Sequence, residues 1–483
     1  MARVVVMGAG VSGHTAALYA KRWLGKDHSV VVISPNANYN WIPSNIWVGV
    51  GSMTADQVLF PLAPIYARKG VEFHQALATE IHPEGGDGHD SPYVVAKSTV
   101  EEGVEEAIEY DYLINCTGPK LNFPATPGLG PDGGYTYSVC TAPHATETAK
   151  HLATLIDQLR AGAKMRFVVG TGHGMCTCQG AAFEYTFNLE HTLRQAGVRD
   201  NVELVYLTNE AELGDFGVGG MKFDYQGFRT SSQLWCESLY RERQVQAIIG
   251  AHVNNIEEGS LTYEQLDGST HSLDFDFAML LPPFKGADLK AFDASGEDIS
   301  EKVFNPAGFL KVDANYGAGA YENWSPDDWP KTYQSPHYDN LFAAGIAFAP
   351  PHQISVPRTT PNGTLIAPAP PRTGMPSGII AKAVTSTVVD RIKGRNRPAH
   401  QAPMTKMGAA CVASAGMGAL KGSAISLTMH PVVPDFTTYP ATGRDLKGTV
   451  GEIGLAGHWV KYMLHRLFTY KAKARPLWWV IPE

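Results

Sequence analysis

The stretch that most narrows what this chain can fold into is residues 3–24. Val4-Val5-Val6-Met7 is a short apolar run that passes directly into Gly8-Ala9-Gly10-Val11-Ser12-Gly13 and then into His14-Thr15-Ala16-Ala17-Leu18-Tyr19-Ala20. A buried strand, a glycine turn and a helix in that order suit the pyrophosphate of a dinucleotide. Gly8 makes the turn, Gly10 lets the phosphates approach the backbone, and Gly13 lets the helix pack on the strand; the helix N-terminus then offers its unpaired amides to the negative charge. Ser12 lies within the same loop. The pattern predicts an α/β chain built on Rossmann-like sheets. At 483 residues it is long enough for two such domains.

Composition narrows the partners. A net charge of −8 with no basic stripe leaves nothing to neutralise a phosphate backbone, so no nucleic-acid partner is expected. Met1-Ala2-Arg3 runs straight into the first strand, so no signal peptide is expected. No apolar run approaches the roughly 20 residues that a spanning helix needs. Six cysteines form neither a disulfide ladder nor paired CxxC zinc sites, which predicts no metal and points to redox-active thiols in a reducing compartment.

The second strand, His28 to Ile33, ends in Ser34-Pro35-Asn36, where a dinucleotide site usually has an acid for the ribose; the Ser34 hydroxyl can make that bond instead. Tyr110-Asp111-Tyr112-Leu113-Ile114-Asn115-Cys116-Thr117-Gly118 is similar to the second flavin signature of two-dinucleotide-domain flavoproteins. That resemblance implies FAD and adds Thr117 and Gly118 to its site. A second glycine turn, Arg166-Phe167-Val168-Val169-Gly170-Thr171-Gly172-His173-Gly174, would seat NAD(P)H in a pyridine-nucleotide disulfide reductase. Here the turn continues into Met175-Cys176-Thr177-Cys178-Gln179, and the next strand ends Thr208-Asn209 before Glu210, so NAD(P)H is not expected. A cysteine at a helix N-terminus has its thiolate favoured by the free amides, which makes Cys176 and Cys178 candidate nucleophiles. Cys116 and Cys236 read as inert.

These residues resemble the sulfide:quinone oxidoreductases, with flavocytochrome c sulfide dehydrogenase as the nearest relative. The resemblance rests on Tyr39-Asn40-Trp41-Ile42-Pro43-Ser44-Asn45-Ile46-Trp47, Ser138-Val139-Cys140-Thr141-Ala142-Pro143-His144-Ala145, Cys178-Gln179-Gly180-Ala181-Ala182-Phe183-Glu184-Tyr185, Met279 to Gly286, and Asn340 to Gly345. It implies that Cys178 belongs to the redox pair acting on sulfide. Cys140 corresponds to the accessory cysteine that in some members bonds the flavin covalently, and Glu184 and His144 to acid–base residues. Pro43, Ser44 and Asn45 lie under the flavin in such a reading, with Ala78, Gly345, Thr373 and Gly374 completing the cofactor set and Phe348 touching quinone. One position departs: Ala347 stands where the family has the second cysteine. Cys176, Cys140 and Cys411 are the alternatives; Cys411, on a Gly/Ala-rich segment, is expected to pack as a buried strand, and the working hypothesis pairs Cys178 with Cys140 or Cys176. A proline-rich stretch from Pro351 to Pro376 follows, longer than the resemblance predicts and placed to reshape quinone access.

The C-terminal run from His458 to Arg475 puts Val460, Met463, Leu464, Leu467 and Phe468 at helical spacing among basic residues, and Leu477-Trp478-Trp479-Val480-Ile481 follows. This predicts an in-plane membrane anchor near 458–481, with the indoles at the headgroup boundary. The expected division is an FAD-binding part over 1–150, a second Rossmann-like domain over 151–334, a return to the FAD domain over 335–400, and a membrane-facing region over 401–483. The expected activity is oxidation of sulfide to sulfane sulfur or polysulfide, with electrons passing through FAD to a membrane quinone. The other readings are a type II NADH:quinone dehydrogenase, a flavocytochrome partner subunit and a non-enzymatic sulfur-binding relative. The oligomeric state is left open, a homo-oligomer included.

Overall fold

The computed structural model describes residues 1–371, 374–418 and 422–483. The elements that position the site are β1 (Arg3–Met7), α1 (Val11–Leu24), β2 (Ser29–Ile33), β3 (Glu72–His74), β4 (Tyr112–Asn115), α2 (Ala142–Arg160), β5 (Met165–Thr171), α3 (Gln179–Gln195), β6 (Val202–Leu207), β7 (Val245–Ile248), β8 (Phe277–Leu281), β9 (Leu341–Ala343), α4 (Gly374–Ile392), β10 (Ala409–Ala415), β11 (Ser423–Met429), β12 (Val450–Gly454) and α5 (Leu455–Ala472). The first sheet has the order β9-β4-β1-β2-β3 and is parallel throughout. Its central strands are covered on both faces, which is why Val4, Val5 and Val6 are all without exposed surface and why a continuous β-branched run was their signature.

The second sheet, β7-β6-β5-β8, is again all parallel, with Phe167 opposite both Leu204 and Phe277. After it the chain returns to the first sheet through β9, pairing Leu341 with Leu113, and α4 then packs along α1. A third, antiparallel sheet, β10-β11-β12, carries α5 and lies against α3. One continuous core joins the first sheet, α3 and the third sheet, so residues far apart in sequence pack together around α3. This is the α/β architecture with two Rossmann-like sheets that the glycine turns predict.

Candidate active site

At the first turn, Gly8 has φ +96°, and a Cβ on it would collide with the Cys116 carbonyl. Gly13 sits so close to the Gly8 carbonyl that no side chain fits there either. Gly10 is different: a Cβ built on it meets nothing within 4 Å. The turn is therefore tight where strand and helix must touch and open at the glycine facing the amides of α1, which is the shape a pyrophosphate requires. Gly345, with φ +69°, would place a Cβ 2.5 Å from Ser12 Oγ, so the returning chain abuts this loop. Gly374 opens α4 nearby, whereas Thr373 lies outside the described residues. The amide and hydroxyl of Thr117 both donate to Asn115 Oδ1, at 3.1 and 2.8 Å, holding the turn to Gly118 (φ +70°). Ser34 is buried at the end of β2, and its carbonyl accepts from the amide of Ala76. Ala78 sits where the register of strand Ala76–His82 shifts against its neighbour. This set fits FAD, with the Gly10 opening as the test that the residues pass.

The second turn has the same letters and a different shape. A Cβ on Gly172 would lie 2.5 Å from Leu129 Cδ1, and one on Gly174 would lie 2.8 Å from the Leu365 carbonyl and 2.9 Å from His252 Nδ1. The proline-rich return covers it: Ala367 N donates to Gly174 O at 2.9 Å, Ala369 N to Cys176 O at 3.0 Å, and Thr177 Oγ1 to Pro370 O at 3.3 Å. Glu210, just past β6, points inward, accepting from Thr208 Oγ1 (2.8 Å), Tyr206 OH (3.3 Å) and the Phe216 amide (2.8 Å). Burial pushes its pKa up to about 7. An acid so engaged is not presented to a ribose.

The thiols divide into two groups. Cys116, Cys176 and Cys236 are sealed, while Cys140, Cys178 and Cys411 keep accessible surface. Cys178 is the N-cap of α3 and holds a left-handed conformation, φ 64° and ψ 34°. The expectation of a favoured thiolate at Cys176 fails: its thiol points away from the helix and donates to the Leu281 carbonyl at 3.0 Å, and burial drives its pKa far up. Its place two residues outside the N-cap, with its thiol on the Leu281 carbonyl and its own carbonyl taken by the Ala369 amide, removes both solvent and the helix amides. Cys140 stands before α2 with its thiol pushed up to about 11, chiefly by burial, and Cys411 on β10 is pushed up to about 12 for the same reason. Negative charge on Cys178 adds to both shifts, which places it within electrostatic reach of each. Opposite the first turn of α3, a Cβ on Gly180 would lie 3.6 Å from Cys411 Sγ.

Glu184 lies one and a half turns into α3, fully inside the protein, with Oε2 2.9 Å from Lys461 Nζ and Oε1 accepting from the Ser414 amide at 3.3 Å. Burial raises its pKa and the lysine charge opposes that rise. Lys461 also donates to the Pro43 carbonyl at 2.7 Å, and His465 Nδ1 is 2.9 Å from Ser44 Oγ, so α5 holds the Pro43-Ser44-Asn45 segment directly. The Asn45 side chain exchanges two bonds with Asn40, at 2.9 and 3.1 Å. Sequence reasoning missed Lys461. The available signal was that Lys461, His458 and His465 fall on one helical face, opposite the apolar stripe. His144 is not part of this group: its ring meets Asp132 at 3.5 Å and Phe123, and its amide is capped by Thr141 Oγ1. Phe348 has no exposed surface and packs edge-on against Tyr333 at 5.0 Å, so in this arrangement its ring is core and presents no face to a quinone.

Residues 2–209 match the family model described as pyridine nucleotide-disulphide oxidoreductase. The sulfide-quinone reductase of Aquifex aeolicus is 30% identical over 470 residues, covering 97% of this chain and 91% of its own. The chain belongs to the sulfide:quinone oxidoreductase family. The solved structure of the Aquifex aeolicus sulfide:quinone oxidoreductase superposes with a TM-score of 0.74 at 27% identity, over 98% of this chain and 92% of that one. NDH2 from Plasmodium falciparum, solved with NADH, shares the fold with a TM-score of 0.61 at 13% identity, over 96% and 98%. In this chain Ala347 is 2% exposed, with its carbonyl taken by the Leu310 amide at 2.9 Å.

The C-terminal helix α5 turns polar residues inward and apolar ones outward. On α5 the polar residues His458, Lys461, His465 and Lys471 are buried against the body, and Leu455, Trp459, Val460, Met463 and Leu467 face outward. The indoles of the tail correct their expectation: Trp478 is buried edge-on against Tyr19, and Trp479 lies under the Arg22 guanidinium at 3.6 Å, so both serve to dock the tail on α1. Leu477 and Val480 are the exposed residues of that turn. Among the described residues, no helix is long and apolar enough to cross a membrane.

Proposed function

We propose that this chain oxidises sulfide to sulfane sulfur or polysulfide and passes the electrons through FAD to a membrane quinone. The observation that carries the reading is the group of three cysteines that are not fully buried, Cys178 at the head of α3 with Cys140 and Cys411 in electrostatic reach of it, beside a second glycine turn that the protein itself has filled. A nicotinamide donor would need that turn open, so the NADH dehydrogenase reading is disfavoured by the same feature. FAD, when bound, takes two electrons from sulfur and yields them to quinone. The protein's part is to hold sulfur and move protons. Cys178 sits where the α3 amides favour its thiolate, and Cys140 stands within reach as an accessory thiol or a covalent flavin link. Glu184, raised by burial and balanced by Lys461, can hold or release a proton a turn and a half from Cys178.

We also place the outward apolar face of α5 on the bilayer, where a lipid-dissolved quinone arrives; a helix that buries Lys461 and Lys471 and exposes Trp459, Met463 and Leu467, with Arg466 at the surface beside them, suits a monotopic contact. Anaerobic addition of sulfide should bleach the flavin, and a short-chain quinone should restore it, while NADH leaves the spectrum unchanged. Bleaching by NADH and not by sulfide would reverse the assignment. A Trp459→Ser, Met463→Ser, Leu467→Ser protein should no longer float with liposomes but should still bleach with sulfide; undiminished flotation would remove α5 from the contact.

A further inference from the structure

The sulfur chemistry proposed above needs a second redox sulfur, and the position the family uses is Ala347, which has no sulfur to give. Three observations locate a replacement. Cys411 lies on β10, the strand that packs along α3. Its Sγ is 3.6 Å, and its Cβ 3.9 Å, from where a Cβ on Gly180 would be, so the absent side chain at Gly180 leaves Cys411 facing the first turn of the helix that Cys178 caps. Of the cysteines outside the Cys140 and Cys178 motifs, Cys411 alone keeps accessible surface, whereas Cys116, Cys176 and Cys236 are closed off. Cys176, two residues from Cys178 in sequence, is fully buried with its thiol committed to the Leu281 carbonyl.

We propose that Cys411 is the second redox sulfur of this enzyme, closing on Cys178 across the α3–β10 contact either directly or through sulfane atoms taken from sulfide. The direct bridge needs the two Cβ atoms about 3.5–4.5 Å apart, and a bridge through added sulfur spans a longer gap. In the first step the sulfur of HS⁻ bonds to Cys178 Sγ while the Cys178–Cys411 bond breaks. The bonding pair leaves on Cys411, and the proton of the hydrosulfide ends there. The products are a Cys178 persulfide anion and a Cys411 thiol. Burial raises the Cys411 pKa, so the released sulfur takes up the proton and rests as the thiol. Closing the bridge again releases one sulfane sulfur to a further hydrosulfide, one proton, and two electrons, which the quinone receives by way of the flavin. The oxidant is the one the proposed activity already supplies. Cys140 is left free for the flavin, so the sulfur pair and the flavin link need not compete for one thiol. The hydroxyl of Thr177 and the amide of Ala369 tie the cysteine turn to the proline-rich return.

The inference rests on the sulfide reading and is tested apart from it. Non-reducing proteolysis and mass spectrometry of the oxidised holoenzyme should give a peptide pair linking Cys178 to Cys411, with or without added sulfur. A Cys178–Cys140 pair, or unlinked Cys178 and Cys411 in fully oxidised enzyme, overturns it. Cys411→Ser should keep its FAD, and its dithionite-reduced flavin should still be reoxidised by quinone, while sulfide-driven bleaching slows on the order of 100-fold. Bleaching at the parent rate overturns the proposal. Should Cys411→Ser fail to hold FAD, Cys411→Ala and the peptide map of the parent enzyme decide in its place. If the parent shows the Cys178–Cys411 link yet never bleaches with sulfide, the sulfur pair stands and the sulfide reading falls.

Discussion

A side chain on Gly10 would enter open space, whereas one on Gly174 would strike Leu365 and His252. The two turns follow equivalent parallel strands, β1 and β5, yet α1 starts at Val11 directly after Gly10, while α3 starts at Gln179, five residues beyond Gly174. In the first, the helix amides sit at the glycine opening and the site suits phosphate. In the second, the added residues are Met175 to Cys178, the opening is closed by residues 365–371, and the head of the helix is given to sulfur. One scaffold thus supports a dinucleotide site and a thiol site, and what separates them is what fills the turn.

The most direct way to break this contrast is to fill the first turn as the second is filled. Gly10→Leu should cut flavin content at least about tenfold, read from flavin absorbance against protein concentration. Gly174→Ala should keep its flavin and cost only about 1–3 kcal/mol of stability through the clash with Leu365. Equal flavin loss in the two variants would end the distinction.

Next in size is the charge pair that α3 carries. Lys461→Met leaves the Glu184 carboxylate buried without its cation, an expected loss of about 3–5 kcal/mol in denaturant unfolding. The double change with Glu184→Gln should recover most of it. If the single variant is as stable as the parent, Glu184 is protonated in the folded protein and the pair carries no charge.

Glu210 sharpens the contrast through pH. Its pKa rises on folding from the ordinary 4.5 to about 7, so the folded state favours the protonated acid. The associated stability is fully present below about pH 4.5 and is lost as pH rises through about 7, an effect on the order of 3 kcal/mol. Glu210→Gln should flatten the melting temperature over that window. An unchanged slope would mean that Glu210 is ionised and open to ligand, as in a nucleotide site. The smallest effect belongs to Ser34, in the place where an acid would hold ribose. Ser34→Ala should weaken FAD by about 1 kcal/mol, roughly fivefold in Kd by flavin titration.

The first turn was legible in the sequence because its shape is dictated locally. Gly8 and Gly13 are forced by neighbours within the same strand–turn–helix and by β4 alongside, and the apolar run of β1 announces a strand buried on both faces. Cys178 was legible as a helix cap for the same reason. The state of Cys176 was not, because two residues outside the N-cap its thiol meets Leu281, 105 positions away. Nor was Lys461 legible as a partner of Glu184, 277 positions away, since helical spacing shows that a stripe exists but not which side meets the protein. The inverted burial of α5 came from that pairing together with His458 and His465.

By itself the sequence determined the parallel sheets, the phosphate-shaped turn and the thiol at the head of α3, all properties of residue type and short spacing, and its family resemblance marked the missing sulfur at Ala347. The tertiary structure alone decided that the second turn is filled, that Cys411 faces the helix Cys178 caps, and that the C-terminal helix turns Lys461 and Lys471 inward. Those outcomes depend on which distant segments share a core, and burial energy settles that only when the whole chain packs.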